Sequence, residues 1–439
     1  MNMYIGMLIR LIDRRFFKYH NRTENELMNI LFLHRNFPAQ FRYVLQELVK
    51  DKNNTVVFIT NNSNTHPCDG VTKVVYELKR EVPDNCHRYT RFFEESINHG
   101  QAAAEALLWL QEKGFYPDVM IGHSWGSSLF VKEIFPDVPY IAYVEWYFNY
   151  TNSDVDFGKN ELNVDEKARL TCCNAHLLLD LVKSDCILCP TRWQKAQIPK
   201  EFWSKVTVLH DGINTGLCRP DPKARFKVPQ KKKLVLSAKD EVLTYATRGM
   251  EKYRGFPQFM EAVSILQKQR PNLQVVIGGE DRVFYDNRFE TEAVTQGGSL
   301  KKKMLEEFNY DMRRLHFTGF LPYDKYVRLL QVSAAHVYLT YPYVLSWSFL
   351  EAMAAECCII ASDTPPVKEF MTDMYNGILT DFYDVNALAA KINDVLDHRE
   401  KYMQLRKNAR ETIVNNYELR DMITKQVELI YRIANRKKK

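Results

Sequence analysis

Long apolar runs are absent from this 439-residue chain. No stretch reaches the roughly 18 uncharged apolar residues that a membrane-spanning helix needs, so none is expected. The start is not expected to act as a secretory leader, because Arg10, Asp13, Arg14 and Arg15 interrupt its short apolar stretch. Charge of one sign is scarce: 60 basic and 54 acidic residues leave a net +6. Nucleic acid is therefore not an expected partner, since such binders gather far more basicity on one face. Cysteine usage excludes a disulfide framework, because nine is an odd number and Cys172-Cys173 and Cys357-Cys358 are adjacent pairs in apolar surroundings. Cys186 and Cys189 have zinc-like spacing, but they lie in a strand-like run with no second pair nearby. Reduced thiols in a cytoplasmic protein are the expectation. Internal repeats and low-complexity tracts are also absent.

What is present is the composition of a globular protein, with 46% hydrophobic and 26% charged residues. Residues 1–27 form an extension, in which Met, Ile, Leu and Phe alternate with Arg10, Arg14, Arg15 and Lys18. An interfacial helix giving peripheral contact with anionic lipid and a solvated tail are both open there. From residue 29, short apolar runs alternate with helical patterns. Strands are expected near 29–34, 55–60, 117–123, 138–146, 186–190 and 206–210. A second series is expected at 234–237, 273–278, 316–319, 336–340 and 358–362. Helical spacing joins them, as in Phe259, Met260, Val263 and Leu266. Such alternation predicts an α/β protein of two Rossmann-like, doubly wound parallel-sheet domains facing across a cleft. The boundary falls in the Gly- and Pro-rich stretch 211–230. The domains are read as 28–215 and 216–420, followed by a terminal helix over 421–439, and residues 281–303 read as a long polar loop.

Ligands of such sheets bind beyond the carboxyl ends of strands, where the candidate residues cluster. In the stretch 341–363, Ser348 and Glu351 have the S-x-x-E spacing of a helix start. A helix start offers orphan amides and partial positive charge to an anion such as a diphosphate. Glu351 could then accept from two vicinal sugar hydroxyls, or simply be the return arm of a capping box. Arg248, Lys252 and Arg254 place three cations at a β-α junction, suited to phosphate oxygens; as a solvated loop they would be ordinary. Gly279 ends a strand and permits close approach of a nucleotide, but Gly278-Gly279-Glu280 is not a dinucleotide fingerprint. Gly122-His123-Ser124-Trp125-Gly126 matches the nucleophile elbow of a serine hydrolase. Of the later histidines only His210 is placed to serve it, so His123 competes with Ser124 as the functional group. Asp154 and Asp156 have the spacing of a cation-binding pair, set in a polar stretch that reads as a solvated loop.

On these residues the chain resembles glycosyltransferase family 4, retaining enzymes of the GT-B fold, over roughly residues 29–420. Glu351-Ala352-Met353-Ala354 is similar to the second half of the family's acidic motif, and Glu369 with Asn376-Gly377 to its downstream segment. Arg248 with Arg254 or Lys252 resembles the family's basic pair on the donor diphosphate. His123 resembles its acceptor-side histidine, and residues 210–214 its interdomain turn. Tyr343 stands where the motif's first Glu is usual, and Arg35-Asn36-Phe37-Pro38-Ala39-Gln40 replaces the usual Gly-Gly turn.

The resemblance implies a metal-independent hexosyltransferase without cofactor, acting in polysaccharide or glycoconjugate biosynthesis. Its donor would be a nucleotide-diphosphate sugar, and its acceptor a carbohydrate, lipid-linked or other hydroxyl. His123, Arg248 and Arg254 would act on the reacting groups. Lys252, Gly279, Leu345, Ser346, Trp347, Ser348 and Glu351 would hold the donor. The alternatives are the serine hydrolase and a non-catalytic nucleotide-sugar-binding homologue, the latter motivated by Tyr343. Ser124→Ala separates the first: sugar transfer near the wild-type rate is expected, whereas loss of an esterase activity would establish the elbow.

Overall fold

The computed structural model describes residues 27–64, 67–157, 162–229, 231, 233–285 and 299–438. The expectation for the extension thus lies almost wholly outside the described residues. The chain separates into two compact units. One runs through Asp211 and resumes at Arg420; the other spans Gly212–Leu419. No helix among the described residues is long and apolar enough to cross a membrane.

The first unit is built on seven parallel strands: β1 (Met28–Leu33), β2 (Asn54–Asn61), β3 (Val71–Tyr76), β4 (Val119–His123), β5 (Tyr140–Tyr143), β6 (Cys186–Cys189) and β7 (Val206–Val208). Their order is β3-β2-β1-β4-β5-β6-β7. Ile30, Leu31, Phe32 and Leu33 of β1 are fully buried, as a central parallel strand covered on both faces must be. Helix Arg91–Glu112 lays Ala102, Ala103, Ala106, Leu107 and Leu110 on one face, against Leu31, Leu33, Val57 and Ile59. Helix Leu419–Ala434 covers the opposite side: Leu429 and Ile430 approach Phe32, Ile121 and Ile141, and Gln426 donates to the His210 carbonyl at 3.3 Å.

The second unit carries an antiparallel ribbon, β8 (Arg225–Lys227) with β9 (Val235–Ser237), and six parallel strands. These are β10 (Val242–Gly249), β11 (Gln274–Glu280), β12 (Leu315–Gly319), β13 (Ala335–Tyr338), β14 (Ile359–Ser362) and β15 (Ile378–Thr380), in the order β12-β11-β10-β13-β14-β15. The stretch 234–237 is therefore not the first strand of the sheet. It buries only Leu236 fully and leaves Val235 half exposed, which suits a ribbon edge. The opening, central strand is instead β10, whose polar Thr244 is fully buried. Thr244 Oγ1 lies 2.6 Å from Ser333 Oγ and 2.8 Å from His336 Nδ1, so tertiary partners satisfy it.

In both sheets the strand order reverses at the centre, between β1 and β4 and between β10 and β13. Such a switch opens a crevice at the carboxyl ends of the two strands. Those ends carry His34 and His123 in one unit, and Arg248 and the 341–351 turn in the other. Thr244→Val keeps the shape but orphans His336 Nδ1. It should cost about 1–3 kcal/mol, read as a lower urea midpoint; an unchanged midpoint would refute the role given to this pair.

Candidate functional site

In the second unit, β10 ends at Gly249 with Arg248 just before it, and the loop beyond carries Lys252 and Arg254 into the helix Phe256–Gln269. Arg248 and Lys252 are exposed, whereas Arg254 is only 4% exposed. The Arg254 guanidinium donates to Thr340 Oγ1 at 2.6 Å, to Tyr338 OH at 3.3 Å and to the Val344 carbonyl at 3.1 Å. Burial pulls its pKa down, but the surrounding Tyr338, Tyr285 and Glu251 outweigh this and the net shift is upward. Arg254 thus fastens the β10 loop to the turn after β13, and it lines a small recess with Thr247, Ser346 and Ser348. Gly279 sits at φ +133°, and a Cβ there would fall 2.2 Å from the Thr247 carbonyl oxygen. Its glycine is accordingly required by the packing of β11 against β10, whatever else approaches it.

The turn leads into helix Trp347–Ala354. The cap is Ser346, not Ser348: the Ser346 hydroxyl accepts from Ser348 N at 3.3 Å and lies 2.9 Å from Ser348 Oγ. The Ser346 amide itself donates to Tyr338 OH at 3.0 Å, so two amides of the turn are engaged within it. Leu345 packs on the core beneath the turn and Trp347 is exposed. The capping box expected of Ser348 and Glu351 does not form, because the helix starts two residues earlier than that spacing requires. Glu351 Oε1 instead accepts from Tyr323 OH at 2.8 Å, and Tyr323 OH lies 3.1 Å from Cys218 Sγ. Burial raises the Glu351 carboxyl, and the Tyr323 and Tyr326 hydroxyls pull it partly back. Tyr343 is buried with its ring against Tyr253 and Tyr285, an aromatic position rather than an acidic one.

In the first unit His123 ends β4 and is 1% exposed. Its Nε2 lies 3.5 Å from Gln40 Nε2 and 3.8 Å from Glu145 Oε2. Its ring packs on those of His34 at 4.3 Å and Trp125 at 4.6 Å. His34 Nδ1 accepts the Asn36 amide at 2.7 Å, which places the proton of neutral His34 on Nε2. Burial, then His34 and Arg35, hold His123 well below the usual histidine range, and burial takes His34 down to about 3. Both rings are therefore neutral. They can donate or accept a hydroxyl's proton but carry no charge. Beneath the turn, Ser128 Oγ lies 3.2 Å from both the His123 carbonyl and Asp180 Oδ2, and burial pushes the Asp180 carboxyl up to about 7.

The rival motifs do not assemble. Ser124 is fully buried and no group among the described residues hydrogen-bonds its Oγ, so the contact between nucleophile and base that a hydrolase needs is not found there. The Asp156 carboxylate accepts the amides of Asn152 and Ser153, an ordinary turn. Nothing in the linear pattern marks Tyr323 as the partner of Glu351, because 28 residues separate them. Glu251 had a signal, as the single acid among the cations of 248–254.

Comparison with known proteins follows the same division. Residues 52–218 match the glycosyl transferase family 4 group, and residues 227–412 match glycosyl transferases group 1. Sucrose-phosphate synthase from Thermosynechococcus elongatus superposes with a TM-score of 0.65 at 15% identity, over 92% of this chain and 98% of that one. HepE from Anabaena in complex with UDP and glucose gives 0.66 at 12% identity, over 92% and 100%. The N-terminal domain of trehalose-6-phosphate phosphatase from Candida albicans gives 0.62 at 14%, over 94% and 99%. At such identities the likeness shows the fold, which is GT-B. A search of curated proteins finds no match.

The neutral histidines dictate a pH dependence. Buried and neutral when folded, His34, His99 and His176 protonate near 6.5 once unfolded, so their contribution is complete above that pH and is lost as pH falls toward about 3, and His123 is shifted in the same direction. Asp180 opposes this, since its raised pKa favours the folded state on acidification. The urea midpoint should fall between about pH 7.5 and pH 5, and less steeply in His34→Gln/His123→Gln. Equal slopes in the two proteins would show that these rings are charged when folded.

Proposed function

We propose that this chain, which belongs to glycosyltransferase family 4, is a retaining enzyme that transfers a hexose from a nucleotide-diphosphate sugar to a hydroxyl acceptor. The observation that carries the reading is the Arg254 guanidinium. It ties the end of β10 and the loop after it, which bear exposed Arg248 and Lys252, to the turn that opens helix Trp347–Ala354. Cations, hydroxyls and a helix start thereby share one strand-end crevice, the chemistry a diphosphate requires. We assign the donor to the second unit. Arg248 and Lys252 meet the phosphate oxygens, Ser346 and Ser348 lie at the helix start, and Glu351 takes the ribose hydroxyls in exchange for Tyr323. Arg254 acts from beneath, holding the turn and facing the recess.

As the bond between sugar C1 and the phosphate oxygen breaks, negative charge grows on the diphosphate. The cations bind that charge more strongly in the transition state than in the ground state. The acceptor hydroxyl attacks C1 from the face being vacated, and its proton passes to the departing phosphate oxygen, which retains the configuration. This route calls for no metal. In the first unit, neutral His123 is assigned to hydrogen-bond a sugar hydroxyl. HepE is a GT-B neighbour solved with UDP-glucose, and UDP-glucose is on that ground the first donor to try. The nine free cysteines suit a reducing, cytoplasmic setting. With a hydroxyl acceptor, the role we assign is polysaccharide or glycoconjugate synthesis.

A thermal-shift series with UDP-, GDP- and ADP-sugars should give a rise with at least one. Arg248→Ala should lower kcat by about 100-fold or more, the scale for removing one transition-state donor. Binding without transfer or donor hydrolysis across the series would make the chain a nucleotide-sugar-binding protein instead. No shift with any of them at millimolar concentration would dismiss the donor site.

A further inference from the structure

Beyond β11 the chain runs back across the end of β10 and the loop after it, which carry Arg248, Lys252 and Arg254. Glu251, fully buried in that loop, is what holds it there. Glu251 Oε2 accepts the amide of Phe284 at 2.9 Å and that of Tyr285 at 2.8 Å. A carboxylate bonded to two consecutive amides is a strong, directional anchor. The two rings it fixes lie on the cations. Arg248 sits 4.1 Å from the Phe284 centroid, Arg282 sits 4.5 Å from the same ring, and Arg254 sits 5.2 Å from the Tyr285 ring. Tyr285 packs in turn on Tyr343 at 5.4 Å, so the residue standing in place of the family's acid serves as a socket for a ring. Gly249 leaves the room this needs. A Cβ there would lie 2.4 Å from the Arg282 carbonyl oxygen and 2.6 Å from the Phe284 ring.

A guanidinium stacked on an aromatic face keeps its N–H donors in the plane, pointing away from the ring. Arg248 is exposed, and without such a surface its long side chain would sample many rotamers before meeting a phosphate. We propose that Glu251 and Phe284 are positioning residues for the donor diphosphate: Glu251 anchors the segment, and the Phe284 ring holds the Arg248 guanidinium with its edge presented to the phosphate oxygens. The proposal rests on the donor-site reading above, and it adds two residues that touch neither the sugar nor the phosphate.

The test is calorimetric titration of the full-length chain with UDP, GDP and ADP, following whichever binds the wild type most tightly. Phe284→Ala should weaken binding about tenfold, the size of a partly desolvated cation–π contact. Its thermal midpoint should hardly move, because Phe284 is only half-buried. Phe284→Trp should restore binding to within about twofold of wild type, whereas Phe284→Leu should not, since a leucine fills space without a π face. Glu251→Gln should weaken binding by a similar factor. If Arg248→Ala weakens binding while Phe284→Ala matches wild type, or if Phe284→Leu rescues as well as Phe284→Trp, the positioning role is overturned and the donor site stands. If Arg248→Ala binds as wild type does, or the wild type binds none of the three, the donor site falls and this proposal with it.

Discussion

The buried guanidinium of Arg254 is the constraint on which the second unit's site depends. Its donors reach Thr340, Tyr338 and the Val344 carbonyl, and its own carbonyl accepts Tyr245 OH at 2.8 Å. A charge taken this far from water is tolerated only when its donors are filled and polar neighbours offset the desolvation. Tyr338, Tyr285 and Glu251 do so here, which is why its pKa moves up despite burial. The consequence is geometric. Two loops that belong to different strands of the sheet become one rigid surface, and the exposed cations ride on it.

The first unit places its polar groups at the equivalent strand ends by a different physical route. There desolvation wins: His34 and His123 at the strand ends are held neutral, as are His99 and His176 in helices of the same unit. A neutral imidazole suits a hydroxyl, as a fixed cation suits a phosphate. The two units therefore share a topology but offer different chemistry, one set of charges resisting burial and one set of rings discharged by it. Arg35 contributes to the second outcome: paired with Glu95 at 2.7 Å, it adds positive potential beside those rings.

Much of this was legible in one dimension. The β-α alternation carried the fold class, because strands buried on both faces must be continuously apolar, and runs such as Ile30 to Leu33 are. Arg248, Lys252, Arg254 and Glu351 were legible because their spacing put them at strand ends, where open sheets bind ligands. β10 was not, since Thr244 breaks its apolar run and is made acceptable only by Ser333 and His336, both about 90 residues away. The capping box failed for a local reason: Ser346 and Ser348 both offer a hydroxyl, and the helix took the earlier one.

Sequence alone determined that two parallel-sheet halves exist, and that cations and a helix start lie at their strand ends, because hydropathy period and residue spacing are properties of neighbours in the chain. The roles within the site were decided by tertiary structure. Arg254 became a buried fastener, Glu351 the partner of Tyr323, Glu251 the anchor of two amides and Tyr343 a socket for a ring. Each of those outcomes depends on which group arrives from a distant segment and how much water it displaces, and neither quantity is written in local order.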